Sequence, residues 1–360
     1  MISADEADAA VRSTPADGPR VLAIESSCDE TAAAVVEGRV VRSSVVATQI
    51  DVHKAFGGVV PELASRHHLD AVLPTVTEAL ERAGCGLGDL DALAVTDRPG
   101  LVGALLVGVM AARGLALATG VPLLGIHHLE GHIVSSFLGD ETRAPPPLLP
   151  HVALMVSGGH TELLDVRGLG EYVKLGSTRD DAVGEAYDKV SKMLGTGYPG
   201  GPIVDALAAD GDPEAVMFPR AMMSKGLEFS FSGLKTAVAV HLERTGMPRS
   251  KSALQDICAS FQAAVVDVLV AKTRRAVAQT ARAEVRVVGG VAANAGLRAA
   301  MTAAARRDGF RFEAVPRAYC GDNAAMIGAA AAMRFARGGG SPVDVRSSAS
   351  IETVTSPEGA

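Results

Sequence analysis

Apolar and polar positions along the chain fall into two similar blocks. RVLAIESSCDETAAAVVEGRVVRSSVVAT (20–48) starts apolar, breaks at small polar residues, resumes, breaks at a glycine and resumes again. Short apolar runs bounded by Ser, Asp and Gly predict three strands joined by tight turns. HVALMVSGGHTELLDVRGLGEYVKLGST (151–178) repeats this order of elements. Helical periodicity follows each block, in GLVGALLVGVMAARGLALATG (100–120) and in SALQDICASFQAAVVDVLVAKTRRAVAQTA (252–281). Both segments are apolar enough to predict buried helices. RAPPPLLP (143–150) reads as a linker, and the polar ends, 1–19 and 338–360, read as mobile tails. The expected layout is an N-terminal lobe over 20–142 and a C-terminal lobe over 151–337.

A meander-plus-helices unit present twice describes a duplicated α/β fold, two lobes around a central cleft. The Ser/Gly turns of the two copies would face each other there and offer backbone N–H groups to phosphates. Actin, the sugar kinases and the heat-shock-protein ATPases share this plan, a likeness of fold that names no reaction. The size agrees, since 360 residues suggest two domains. Aromatic residues make up only 4% of the chain, with no Trp and 39 Gly. That composition suits close backbone approach to a nucleotide better than an aromatic groove.

Composition also narrows the setting. The apolar run at 101–112 stops at Arg113, short of a membrane span. No apolar signal core opens the chain, and its four cysteines form no CxxC pair, so reduced cytoplasmic thiols and no membrane partner are expected. The net charge of −7 argues against a nucleic-acid partner, but residues 271–340 hold 12 Lys/Arg against 4 Asp/Glu. Such a basic stretch either binds phosphates or is simply a solvated basic face.

The strongest chemical signal is HHLEGH (127–132). On a helix His128 and His132 stack on one face, the spacing for joint metal ligation. Zinc proteases of the HExxH type place their general base directly after the first histidine. Leu129 occupies that slot, and Glu130 points to the other side of the helix. His127 lies off the ligand face and reads as structural. A third ligand is required, and Asp322 in CGDNAAMIGAAAAMRF is the candidate, although an Asp before an Ala-rich helix is more often an N-cap.

Other segments suit a nucleotide. VALMVSGGH (152–160) runs a buried strand into Ser157-Gly158-Gly159, glycines that permit left-handed backbone near an anion. Asn294 in RVVGGVAANAGLR either caps a helix or touches a ribose or phosphate. DDAVGEAYDKVSKMLG carries Asp181, Glu185, Asp188 and Lys189 on one helix, Asp205 follows YPGGP, and Lys235 sits in EFSFSGLKTAV. No P-loop, dinucleotide fingerprint or GxSxG elbow occurs.

Taken in order, IESSCDET, GGVVPELASRHH, GLVGALLVG, HHLEGH, VSGGHTEL, DDAVGEAYDKVSKMLG, YPGGP, FSFSGLKTA, GGVAANAGLR and GDNAAM resemble the TsaD-type tRNA adenosine threonylcarbamoyltransferases over about residues 20–337. The resemblance implies the duplicated cleft fold. It also implies transfer of threonylcarbamoyl from threonylcarbamoyl-adenylate to the exocyclic amine of the adenine directly downstream of the anticodon, in tRNAs reading codons that begin with A. It assigns His128, His132 and Asp322 to one divalent metal, usually iron or zinc. It gives the adenylate to Met155, Val156, Ser157, Gly158 and Gly159, then to Asp188, Gly201, Asp205 and Asn294. A shorter noncatalytic paralogue and a P-loop ATPase are the implied protein partners. Two positions depart from the pattern: Met155 stands where archaeal and eukaryotic relatives carry Tyr, and RPGL, with Arg98, replaces GPGL. Rival readings are a metalloprotease, which lacks its base, and a metal-dependent cleft ATPase or sugar kinase, for which no sugar-specific base is present.

Overall fold

A computed structural model describes residues 18–339 and 342–355. In the N-terminal half the strands are β1 (Arg20–Glu25), β2 (Glu30–Glu37), β3 (Val40–Thr48), β4 (Ala92–Arg98) and β5 (Leu123–His127). They form one sheet in the order β3-β2-β1-β4-β5, with β1–β3 antiparallel and β4 and β5 parallel to β1. The C-terminal half has β6 (His151–Val156), β7 (Thr161–Gly168), β8 (Glu171–Ser177), β9 (Glu284–Val288) and β10 (Arg311–Ala314) in the order β8-β7-β6-β9-β10. Position by position and direction by direction, the second sheet repeats the first. The duplicated α/β fold expected from the two blocks is the fold observed.

Alternation along β1 explains the layering. Val21 and Ala23 face one apolar cluster while Leu22 and Ile24 face another, as the period of two in a strand requires. The second cluster is covered by α2 (Pro61–Ala83) and α3 (Val102–Thr119). The first is covered by α10 (Ala324–Phe335), a helix from the far end of the chain. Its Ala-rich face lets it lie close to the sheet: a Cβ on Gly328 would come within 2.8 Å of Val36 Cγ2. The lobe boundary at 337 is therefore corrected, because α10 packs on the N-terminal sheet. The second sheet packs against α8 (Lys251–Thr280), whose buried positions run nearly its whole length.

Three further expectations change. The segment at 100–120 is not a buried helix. Ala104, Leu105, Gly108, Val109 and Ala112 of α3 face inward, whereas Val102, Leu106, Met110 and Leu117 face out, beside exposed Leu69 and Leu73 of α2. Although α3 and α8 are both long and apolar enough to cross a membrane by length and composition, α8 is core and α3 lies on the sheet by one face. The second change concerns 338–360, of which residues 342–355 are not a loose tail. Val343 and Val345 join the N-terminal core, and Ile351 and Val354 are buried in the C-terminal one. Of the proposed N-terminal tail, residues 1–17 lie outside the described residues.

The basic stretch also resolves differently. Lys272 is fully buried and donates to the carbonyls of Met222, Lys225 and Gly226. Arg286 is buried against Glu284 and the Ser136 carbonyl, and Arg334 against Glu130. Arg274 pairs with Asp308, Arg282 with Asp165 and Arg311 with Glu284. Most of the local positive charge thus braces the C-terminal lobe instead of forming a phosphate-binding face.

His151 opens β6 buried, with Nδ1 against the Leu149 carbonyl and no partner on Nε2. Burial lowers its pKa to about 4, so the folded protein holds it neutral while the unfolded chain titrates it near its ordinary value of about 6.5. The unfolded state then binds more protons in acid, and this contribution to stability is lost as pH falls from about 6.5 towards 4. Urea unfolding of His151→Gln should show a stability loss between about pH 7 and 5 that is smaller than that of the native protein by about 2 kcal/mol. An unchanged pH slope would remove His151 as a contributor.

Candidate metal centre and cleft

The helix α4 (His128–Ser135) begins where β5 ends, so the HHLEGH sequence straddles a strand-to-helix junction. His127 is its N-cap, and its Nδ1 accepts from the Leu129 N–H. Nε2 of the same ring then carries the proton and faces the Ala349 carbonyl at 3.3 Å. Burial pushes its pKa down to about 3, which keeps it the neutral, structural histidine expected.

One turn into α4, His128 and His132 come together with Asp322. Their three ligand atoms all lie within 4.8 Å of one another. His132 Nε2 is 3.1 Å from Asp322 Oδ1, and His128 Nε2 is 3.5 Å from the same oxygen. Metal–ligand bonds of about 2.0–2.1 Å put tetrahedral ligand atoms roughly 3.3 Å apart, which the two histidine-to-carboxylate separations match. On the other side of His128, Nδ1 lies 3.1 Å from Glu25 Oε2 and 3.2 Å from Ser27 Oγ. A carboxylate holding the far nitrogen of a ligating imidazole fixes which nitrogen faces the metal. Glu25 in turn accepts from the Ser27 N–H and from Thr96 Oγ1. Sequence reasoning passed over Glu25; its signal is an acidic residue ending an otherwise apolar buried strand.

Electrostatics follow the geometry. Burial opposes charge on both partners, yet each favours it in the other. Asp322 is held well below the usual carboxylate range by His128 and His132. His128 is raised well above the usual imidazole value by Asp322 and Glu25. Two imidazoles and a carboxylate with an open side suit iron or zinc, and a bound cation would replace the proton that now sits among them.

Asp322 is not the cap of the helix it precedes. Asn323 caps α10, its side chain accepting from the Met326 N–H at 3.0 Å, and Asp322 turns its Oδ1 to both histidines instead. Glu130 is equally settled. Arg334 donates to both its oxygens at 2.7 and 2.8 Å, and the Tyr172 hydroxyl donates at 2.8 Å. Buried, ion-paired with Arg334 and hydrogen-bonded to Tyr172 on the far face of α4, it cannot serve as a base at the histidines.

A cavity of about 1210 Å³ opens over this cluster between the lobes. Its walls include the turn after β1 (Ser27, Cys28, Asp29) and the turn after β6 (Ser157, Gly158, Gly159, His160), as the duplication implied. Neither Gly158 nor Gly159 takes a positive φ, and a Cβ on either would meet nothing within 4 Å. Their contribution is open space above the backbone, not the left-handed conformation expected of them. The turn is closed by the Ser157 N–H donating to the His160 carbonyl at 2.8 Å. From α5 (Val183–Met193), Glu185, Asp188, Lys189 and Lys192 also reach the cavity. Lys189 and Lys235 are drawn to Asp181, and Lys189 to Glu185 as well, so neither is a free phosphate ligand.

Among the expected adenylate contacts, Ser157, Gly158, Gly159 and Asp188 line the cavity with His128 and Asp322. Met155 and Val156 do not: both are fully buried inside β6, paired with Glu162 and Thr161, so their side chains are core. The departure at Met155 is therefore a buried position of the sheet. Asp205, inside α6 (Gly200–Ala208), and Asn294, before α9 (Ala295–Asp308), do not line the cavity and are linked to each other instead. Gln262 joins them, donating to Asp205 Oδ1 at 3.0 Å and accepting from Asn294 Nδ2 at 2.7 Å. Asn294 caps α9 through the Leu297 N–H, and Asp205 accepts from the Ala295 N–H. Gly201 lies in the first turn of α6, whose preceding N–H, from Gly200, is held by Asp188 at 2.6 Å. Sequence reasoning missed His160, Tyr198 and the stretch 346–350 of the cavity wall.

Gly131 sets the distance between α4 and α10. A Cβ there would fall 2.7 Å from Ile327 Cδ1 and 3.0 Å from Met326 Cγ. Gly131→Val should force the helices apart, at a cost of about 1–3 kcal/mol from overpacking. It should also weaken zinc binding by at least 10-fold in a competition titration. Glu25→Gln, which leaves packing intact, should weaken zinc about 10–100-fold. Native affinity in both variants would show that neither the helix spacing nor the outer carboxylate tunes the site.

A sequence profile described as "TsaD: tRNA N6-adenosine threonylcarbamoyltransferase" matches residues 40–329. Relatives carrying that description include one from Anaeromyxobacter dehalogenans, 55% identical over 89% of this chain and 95% of its own length. Another, from Trichlorobacter lovleyi, is 54% identical over 86% of this chain and 90% of its own. Solved structures of similar fold include HypF from T. kodakarensis, with a TM-score of 0.59 at 13% identity over 87% of this chain and 47% of that one. Component A of the Acidaminococcus fermentans (R)-2-hydroxyglutaryl-CoA dehydratase superposes with a TM-score of 0.52 at 14% identity, over 88% and 99% of the two chains. At such identities the structures speak for the two-lobed fold alone.

Proposed function

The chain belongs to the TsaD family, and from that premise we propose that it transfers the threonylcarbamoyl group from threonylcarbamoyl-adenylate to the exocyclic amine of an adenine in tRNA. The adenine is the one directly downstream of the anticodon in tRNAs reading codons that begin with A, and AMP is released. The observation that carries the reading is the convergence of His128, His132 and Asp322 at the floor of a cleft walled by two phosphate-type turns.

In this transfer the amine nitrogen bonds to the carbamoyl carbonyl carbon, the bond from that carbon to the phosphate oxygen breaks, and the amine loses one proton. The protein's task is to hold two reactants in line and to stabilise charge developing on the carbonyl oxygen and the departing phosphate. The turn Ser157–His160 and the turn Ser27–Asp29 bracket the cavity and offer backbone N–H groups to the phosphate. Asp188, partly spent on the Gly200 N–H, keeps a second oxygen for a sugar hydroxyl. Asp205 and Asn294, tied to Gln262, brace the helix ends behind that wall. His128, His132 and Asp322 would hold one divalent metal, iron in our reading and zinc as the alternative. When bound, it would supply Lewis-acid polarisation of a substrate oxygen. Glu25 would keep His128 in the ligating tautomer. The protease reading has no base, since Glu130 is spent on Arg334 and Tyr172.

We place the protein in the cytoplasm, acting with a shorter noncatalytic paralogue and a P-loop ATPase. The outward apolar stripe of α3 and α2 supports a helical partner: Val102, Leu106 and Met110 recur at helical spacing, beside Leu69 and Leu73.

Nucleoside mass analysis tests the reaction. Unmodified tRNA, threonine, bicarbonate, ATP and metal are incubated with an adenylate-forming enzyme, the two partners and this chain. A threonylcarbamoyl mass should appear on adenosine and fall at least 100-fold with His128→Ala. No modification by the native chain, with every other component active in controls, would overturn the assignment and leave a cleft ATPase as the better reading.

A further inference from the structure

Residues 342–350 cross the mouth of the cleft and are held from the N-terminal lobe. The buried Asp97 at the end of β4 accepts the Asp344 N–H on Oδ2 at 2.8 Å, and its carbonyl accepts the Arg346 N–H at 3.1 Å. The Ser347 carbonyl accepts from Gly100, and the Ala349 carbonyl faces His127 Nε2, one residue before the ligand His128. Arg98 pairs with both oxygens of Asp97, at 2.6 and 2.7 Å, which gives the arginine of the RPGL turn a place in the same anchor. Further on, the Lys174 N–H donates to Glu352, and Ile351 is fully buried in the C-terminal core. The segment is therefore fastened to both lobes.

What it presents to the cavity is polar. Arg346, Ser347, Ser348 and Ser350 all line it. Among the described residues, the Ser347 and Ser348 side chains have no hydrogen-bond partner, and both residues are exposed. Among the described residues the Arg346 guanidinium is paired with Asp344 alone, through Nε at 2.7 Å and Nη2 at 2.5 Å, and the two side chains are 58% and 51% exposed. Exposed pairs of this kind are weak, so the guanidinium can turn to a ligand at little cost. Two other cavity cations are more committed, Lys189 to Asp181 and Glu185 and Lys174 to Glu162, while Lys192 has no carboxylate partner among the described residues. A substrate bearing both a carboxylate and a phosphate must enter a cavity that already holds Asp29, Asp188 and Asp322, and an anchored arginine at its wall offsets that charge.

We propose that the segment 346–350 is a substrate-positioning wall of the active cleft, in which Arg346 binds an anionic group of the adenylate and the Ser347 and Ser348 hydroxyls support it. This rests on the transferase reading given above. The test uses the complete chain with its partners and adenylate made in situ, comparing Arg346→Ala, Arg346→Lys and the double variant Ser347→Ala/Ser348→Ala. Each changes only exposed side chains, so melting temperatures should stay native. Arg346→Ala should raise KM for the adenylate about 10-fold with kcat within about twofold and KM for tRNA unchanged, and Arg346→Lys should recover part of the loss. The serine double variant should raise the same KM by about 3-fold. Direct titration with AMP separates the two anions: a parallel loss of AMP affinity assigns the phosphate, and unchanged AMP affinity assigns the carboxylate. Adenylate KM unchanged in Arg346→Ala, or a rise confined to the KM for tRNA, overturns the proposal. A native chain without transfer activity would fail the transferase reading instead, a result seen before any variant is compared.

Discussion

Everything at the candidate metal centre depends on one close helix contact. His132 and Asp322 are 190 residues apart in sequence and 3.1 Å apart in space. What joins them is the packing of α4 on α10, across a glycine on one helix and Ile327 and Met326 on the other. Because α10 also plugs the apolar face of the N-terminal sheet, the carboxylate is delivered to the histidines by the hydrophobic core. Burying alanines and methionines against β1 and β2 is a large non-directional gain, and the cluster borrows that rigidity. A buried carboxylate, a half-buried one and two buried imidazoles would otherwise be an expensive group to hold together.

The ion pair between Glu130 and Arg334 belongs to the same contact. It ties α4 to the end of α10 on the face opposite the metal ligands, with the Tyr172 hydroxyl completing it from the second sheet. One face of α4 thus carries chemistry while the other bolts the helix between the lobes. A buried pair is weak evidence for net stability but strong evidence for geometry, since losing one partner strands a charge. That double use accounts for a glutamate inside a histidine motif that has no hydrolytic role for it.

Charge elsewhere follows the same economy of position. The arginines and lysine that made the stretch after residue 270 look like a nucleic-acid face mostly close carbonyls and carboxylates within the C-terminal lobe. Around the cleft, cations come from the second lobe and from the returning C-terminal segment, while acidic groups come from both lobes. The cavity is therefore electrostatically a joint product of both halves, completed by a third piece of chain that touches each.

Local rules were enough to read the strands, the duplication, the paired histidines and the misplaced glutamate. Strand period, turn residues and the angular step of a helix act over a few residues, and IESSCDET and VSGGH obey them without help from elsewhere. Short-range reasoning could not separate cap from ligand at Asp322, because the decision lay with Asn323 taking the cap and with two histidines arriving from another helix. Nor could it tell that Met155 and Val156 are core, that one face of α3 is bare, or that a Ser-rich end returns to wall the cleft, since burial depends on which surfaces meet. The sequence by itself determined the elements and the chemistry available to them. Only the tertiary structure decided which groups share a site, because proximity between residues far apart in the chain is set by core packing and not by any pattern along it.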